Sequence, residues 1–240
     1  MFKLKDVSLL EFKEQLASLP DKKLLINTIN AHSYNVAQKD SVFSEALRKG
    51  DVLIPDGISI VKSYKWLKNK SIERIAGADL FVFEMDKLNN IGGKCFFLGS
   101  SENVLSLIKK RAEEEYPNIE IYTFSPPYKV EFTAEENTEM IEKINAVLPD
   151  LLWIGMTAPK QEKWAYSHLN RLAVNCHIGT IGAVFDFYAG TVKRAPLGWQ
   201  KHGLEWLYRL IKEPRRMWKR YLVGNVIFLY YIIKEKYFTK

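Results

Sequence analysis

Short apolar runs alternate with longer stretches of helical periodicity through the first three quarters of the chain. The runs Leu24–Ile29, Asp51–Ile54, Cys95–Leu98, Ile119–Phe124, Leu151–Ile154 and Val174–His177 predict six strands. Between them His32–Lys49, Ile58–Trp66, Leu80–Asn89, Glu102–Tyr116, Ala134–Val147 and Pro159–Leu169 predict helices. Unbroken apolar strands alternating with helices describe a mostly parallel sheet covered on both faces, so the predicted fold is a Rossmann-like α/β sandwich. Pattern and charge change near Thr191–Arg194, dividing the chain into a Rossmann-like domain over residues 1–193 and a helical appendage over 194–240. In the appendage, Trp199–Lys212 and Arg215–Phe238 predict two helices parted at Glu213-Pro214, where proline suits the first turn of the second.

Composition narrows the class. With 240 residues, 47% of them hydrophobic, and only two cysteines, the chain is neither disordered nor a disulfide scaffold. Its net charge of +7 is unevenly placed. Residues 193–240 hold twelve Lys and Arg against three Glu, a balance of +9, whereas the remaining 192 residues come to −2. A basic tail calls for an anionic partner. The same tail carries the apolar run Leu222–Ile233 between Lys219-Arg220 and Lys234-Lys236. A membrane span takes about 20 apolar residues, so this run is too short to cross and suits an interfacial segment, a helix packed on the core, or a homo-oligomer contact. The opening MFKLKDVSLLEF lacks a signal-peptide pattern, so the cytoplasmic side is the expected location.

Ligands of such sheets bind outside the carboxyl ends of the strands. There is no G-x-G-x-x-G after the first strand and no P-loop motif, so the phosphate cradles of nicotinamide and P-loop enzymes are missing. The loops offer other groups. Asp56, just past the second strand, suits a general base, although an Asp-Gly turn or a helix N-cap explains it more readily on the residues alone. Arg74 precedes an apolar helix for which Asp79 reads as N-cap, and suits a pyrophosphate or a nearby acid equally. Thr28 and Asn30 end the first strand with groups fit for a sugar or for capping. Gln161 and Glu162 open a helix behind Pro159; Glu162 has a ready role opposite the helix dipole, so Gln161 is the better binding candidate. The four histidines show no metal-ligand spacing, D-x-D is missing, and His177 reads as a core residue, so neither a metal nor a cofactor is expected.

The segments Asn27–Ala31, Pro55-Asp56-Gly57, Arg74–Asp79, Phe97-Leu98-Gly99, Gly155-x-x-x-Pro159-x-Gln161-Glu162, Gly179–Gly190, Arg194-Ala195-Pro196, Gly203–Arg209 and Glu213–Arg216 with Arg220 follow one another in an order and spacing that resemble the WecG/TagA/CpsF glycosyltransferases (glycosyltransferase family 26) over nearly the whole chain. The resemblance implies an inverting, metal-independent transferase. It would move an N-acetylmannosamine or its uronic acid from UDP to a polyprenyl-diphosphate-linked sugar at the inner membrane face, in teichoic acid, capsule or similar glycan assembly. It implies Asp56 as general base, Thr28 and Asn30 in the sugar and acceptor pocket, and Arg74 and Gln161, with Glu162 beside it, on substrate. The appendage would close the site, with arginines among Arg209, Arg215, Arg216 and Arg220 reaching diphosphate. An anionic membrane surface is the partner so expected, and nucleic acid is not. Two alternatives stand beside this reading: a nicotinamide-dependent Rossmann oxidoreductase, weakened by the missing glycine fingerprint, and a basic-tail nucleic-acid-binding protein, poorly matched by the tail's apolar run.

Overall fold

The computed structural model describes residues 1–238; Lys240, counted in the basic tail, lies outside the described residues, as does the side chain of Lys201. Six strands, β1 (Leu24–Ile29), β2 (Val52–Pro55), β3 (Gly93–Gly99), β4 (Ile119–Phe124), β5 (Leu151–Gly155) and β6 (His177–Thr180), form one wholly parallel sheet in the order β2-β1-β6-β5-β3-β4. The predicted α/β class and Rossmann-like sheet are what the chain adopts. The helices are α1 (Ala31–Ala37), α2 (Ser41–Lys49), α3 (Ile58–Lys68), α4 (Gly77–Ile91), α5 (Glu102–Glu115), α6 (Ala134–Val147), α7 (Lys160–His168), α8 (Val184–Ala189), α9 (Leu197–Lys201), α10 (Glu205–Lys212), α11 (Pro214–Trp218) and α12 (Gly224–Tyr237).

Strand side chains alternate between two cores, as period two demands. Cys95, Phe97, Leu151 and Trp153 pack with Leu80, Phe81, Leu105 and Phe185 on one face. Phe96, Leu98, Leu152 and Ile154 meet Met140, Ile141, Ile144 and Trp164 on the other. A third cluster joins Phe2, Leu4, Tyr34, Phe43 and Ile60 to Phe228 and Ile232 of the last helix.

Four expectations shift. The run predicted as one helix over 32–49 is two, because the Asp40 carboxylate accepts from Phe43 N–H at 2.9 Å and starts α2 afresh. Asp79 is not the N-cap of α4 but its third residue, where its carboxylate reaches back to Ala76 N–H at 2.8 Å. The last strand lies three residues later than the apolar run 174–177 suggests. Gly179 pairs with Trp153 in register, and a Cβ on Gly179 would stand 2.2 Å from the indole, so glycine there makes room for a tryptophan across the sheet. The predicted helix 199–212 breaks at Gly203, whose φ of 69° is left-handed.

The second tail helix runs on from Pro214, as expected, but through a π-helical turn at Lys219–Val223 in which Gly224 N–H reaches back five residues to Lys219 O. Beyond it Phe228, Ile232 and Glu235 turn inward at helical spacing, while Leu222, Val226, Leu229 and Tyr230 on other faces are more than half exposed. Among the described residues no helix is long and apolar enough to cross a membrane.

Candidate active site

The carboxyl ends of all six strands open on one cleft of about 1570 Å³, roofed by the tail from Arg194 to Leu229. Single small-ligand pockets run from about 300 to 1,000 Å³, so this volume has room for two substrates. At its centre the strand order reverses between β3, which leads to β4, and β5, which leads the other way to β6, the place where such sheets bind ligands. There Gly99 faces Gly155 in register, and a Cβ on Gly99 would stand 2.5 Å from Gly155 O. The floor at the switch point is therefore bare backbone.

Asp56 lies one residue past β2, which is an edge strand and so tolerates Pro55. Its N–H donates to Ile29 O at 2.9 Å, carrying the β1–β2 ladder one rung beyond the proline. The next segment returns to the same strand end, where Ile75 N–H donates to Pro55 O at 3.1 Å and sets Arg74 beside Asp56. Arg74 Nε donates to Asp56 O at 3.3 Å; its Nη2 is 3.8 Å from Asp56 Oδ1 but 2.8 Å from Glu205 Oε2. Arg194 Nε takes the other Glu205 oxygen at 3.3 Å. Burial pushes the Asp56 carboxyl up to about 6; Arg74 pulls the other way, Glu205 adds to the rise, and Arg194 and Asp79 follow. A carboxylate so raised is largely ionised at neutral pH yet a stronger base than a free aspartate.

The tail supplies the cationic wall. Arg209 and Arg220 both line the cleft, and in each the buried Nε–H lacks a hydrogen-bond partner. Such a donor costs about 1–3 kcal/mol unless something accepts from it, and an anionic ligand does. Arg216 stands at the rim, tied to Glu213 at 2.7 Å. Arg215 is exposed and does not line the cleft, so the structure separates it from the other three. Opposite Arg220, burial and then the Arg220 charge hold the His32 imidazole down at about 4, so it faces the cleft neutral.

The remaining predicted residues divide between binding and support. Thr28 lines the cleft from β1. Asn30 also lines it, while its Oδ1 accepts from His32 N–H at 3.0 Å and Ser33 N–H at 3.1 Å to cap α1. Gln161 is almost wholly buried: Oε1 accepts from Met156 N–H at 3.1 Å and Nε2 donates to Glu162 Oε1 at 3.0 Å, which fastens the loop after β5. Glu162 is the more exceptional of the two. Burial pushes its carboxyl up to about 7 against the Gln161 hydrogen bond, and its Oε2 is buried without a partner at the cleft wall. His177 lies at the opposite end of the sheet, held by Glu84 at 2.9 Å and Pro20 O at 3.0 Å, a satisfied core residue as expected. Sequence reasoning passed over Glu205, Arg194 and His32 as site residues. Glu205 had two signals: it is an isolated acid inside a basic segment, and it lies within the Gly203–Arg209 stretch that carries the resemblance.

A raised carboxylate sharing a cleft with guanidinium groups whose buried Nε–H donors lack partners suits transfer of a group from a phosphorylated donor to a hydroxyl. Within that class the assignment is direct: the chain belongs to the WecG/TagA/CpsF glycosyl transferase family, whose model matches residues 2–240, and it is a glycosyltransferase. It is 32% identical over 204 residues to an N-acetylglucosaminyldiphosphoundecaprenol N-acetyl-beta-D-mannosaminyltransferase of Bacillus subtilis (strain 168), covering 84% of this chain and 77% of that one. A protein of the same description from Staphylococcus aureus (strain MW2) is 29% identical over 225 residues, covering 93% and 85%. Family membership displaces the oxidoreductase and nucleic-acid alternatives.

Proposed function

We propose that this glycosyltransferase moves an N-acetylhexosamine, N-acetylmannosamine or its uronic acid, from UDP to a polyprenyl-diphosphate-linked sugar during surface-glycan assembly. The observation that carries the reading is that Asp56 lines one cleft with Arg209 and Arg220, whose buried Nε–H donors lack partners. The acceptor hydroxyl oxygen attacks the anomeric carbon from the face opposite UDP, the carbon–phosphate oxygen bond breaks, and Asp56 takes the hydroxyl proton. The product is inverted and UDP leaves with the bonding pair. Guanidinium groups neutralise that departing charge. The two curated relatives support a lipid-diphosphate acceptor through their names. Residues 194–240 then act as one appendage that roofs the cleft and rests its exposed apolar face on an anionic membrane surface, on the cytoplasmic side.

The test is a transfer assay with UDP-N-acetylmannosamine and a short-chain polyprenyl-diphosphate N-acetylglucosamine, in EDTA, following UDP release and product mass. A product heavier by one N-acetylhexosamine is expected. Product only from another UDP-sugar corrects the donor, product only after Mg²⁺ or Mn²⁺ is added back overturns metal independence, and no product from any UDP-sugar overturns the reading.

A further inference from the structure

One nitrogen of Arg74 faces two carboxylates and is hydrogen-bonded to only one. Nη2 lies 2.8 Å from Glu205 Oε2 and 3.8 Å from Asp56 Oδ1. Glu205 is itself fixed from the far side by Arg194 and is mostly buried, with 17% of its side chain exposed. Its place in space depends on the turn before it. Gly203 has φ 69°, and a Cβ there would stand 3.0 Å from Ile58 at the start of α3, the helix that follows Asp56. The tail turn is thus seated against the base's own helix, and Glu205, two residues past that seat, opens α10.

We propose that Glu205 is a positioning residue: by holding the Arg74 guanidinium it keeps Asp56 out of a tight ion pair, so docking of the tail leaves the base free to take the acceptor proton. The inference rests on the reading of Asp56 as that base. The charged groups facing Asp56 are Arg74 from the segment after α3, Glu205 from α10, Arg194 from the segment after α8, Asp79 from α4 and Arg220 from the π-helical turn. Without Glu205 the balance is three cations against one acid, and Arg74 is released to close its gap to Asp56. A guanidinium in direct contact stabilises the charged carboxylate and weakens it as a base. Glu205 also lies on the tail whereas Arg74 and Asp56 lie on the sheet domain, so the chemistry is complete only with the roof in place.

The experiment compares pH profiles of kcat/KM for the full-length protein, Glu205→Gln and Glu205→Asp, with Asp56→Asn as control. In Glu205→Gln the acidic limb is expected to move down by about one pH unit and the plateau to fall about tenfold. Glu205→Asp, which keeps the carboxylate, is expected to keep the wild-type limb. An acidic limb unmoved in Glu205→Gln, or moved equally in Glu205→Asp, overturns the proposal while leaving the base assignment intact. Substantial turnover in Asp56→Asn instead overturns the base assignment itself. Should Glu205→Gln turn over too slowly to profile, the Asp56 carboxyl is titrated by ¹³C NMR in aspartate-labelled protein, where the same downward shift is expected and an unchanged midpoint overturns the proposal.

Discussion

The Tyr34 hydroxyl donates to Glu235 Oε2 at 2.7 Å, binding the first helix to the last across 201 positions of sequence. The same carboxylate accepts from Leu4 N–H at 3.0 Å and Lys5 N–H at 2.7 Å. Phe2 and Phe228 pack edge-on against Tyr34 from either side, at 5.7 and 5.2 Å between ring centroids. The amino terminus, α1 and α12 therefore meet on one buried acid, which fixes the rear of the tail while its front roofs the cleft.

Truncating that acid leaves three donors without their acceptor. Glu235→Ala is expected to lower the unfolding free energy by about 3–5 kcal/mol, and Glu235→Gln, which keeps an acceptor oxygen, by about 1–3 kcal/mol. Urea denaturation followed by tryptophan fluorescence measures both. A loss below 1 kcal/mol for the alanine variant contradicts this account of the anchor.

His177 gives stability a pH dependence. Its two ring nitrogens face two acceptors, the Glu84 carboxylate and Pro20 O. Burial opposes the imidazolium, but Glu84 and Pro20 outweigh it and raise the pKa above its ordinary 6.5. A raised folded-state pKa means that the contribution is complete below the unfolded value and is lost as pH rises through the folded one. The stability difference between wild type and His177→Gln is therefore expected to be largest at pH 5–6 and to shrink as pH climbs above about 6.5. A difference that grows with pH has the wrong sign for this pairing.

The tail arginines separate by position. Arg209→Ala and Arg220→Ala each remove a cleft-lining guanidinium with a free buried donor, and each is expected to lower kcat/KM at least about tenfold, the equivalent of one charge-assisted hydrogen bond. Arg215→Ala, on the exposed side, is expected to stay within about twofold of wild type. Equal losses at all three positions would show a diffuse field in place of a built site.

The outward face of the last helix is tested by charge. Leu222 and Val226 are 53% and 70% exposed, so Leu222→Asp with Val226→Asp leaves the core packing untouched. Sedimentation with phosphatidylglycerol vesicles is expected to fall at least fivefold, without a change in melting temperature. Undiminished vesicle binding, with altered sedimentation of the protein alone, assigns the face to a second copy of the chain.

Local pattern carried the sheet because its inner strands are buried on both faces and announce themselves as apolar runs, while the edge strand β4 still keeps apolar residues at Ile119 and Ile121. It failed where a glycine belongs to a strand, as at Gly179, since the tryptophan that needs the space is 26 residues away. In the site, Asp56 was legible as a carboxylate just past a strand, and Arg209, Arg216 and Arg220 as cations that had to face something anionic. Arg215 could not be separated from them, because Arg215 with Lys219 and Arg216 with Arg220 form two adjacent basic ridges, and spacing alone does not say which one meets the cleft. Glu205 was missed for a different reason: its partner Arg74 is 131 residues earlier, and only folding makes them neighbours.

The π-helical turn at Lys219–Val223 holds one residue more than an α-helix of the same rise would. Wound as an uninterrupted α-helix, the same residues would fall out of phase across the turn by about one residue, and each residue of such a helix is worth about 100° of rotation. With Glu235 keeping the rear of the helix in phase, Arg216, on the segment in front of the turn, would swing by roughly that angle out of its place on the cleft. The helix is thus two segments spliced out of phase, one aimed at the cleft and one at the core. The winding between Arg220 and Phe228 decides which side chains reach the cleft and which reach the core.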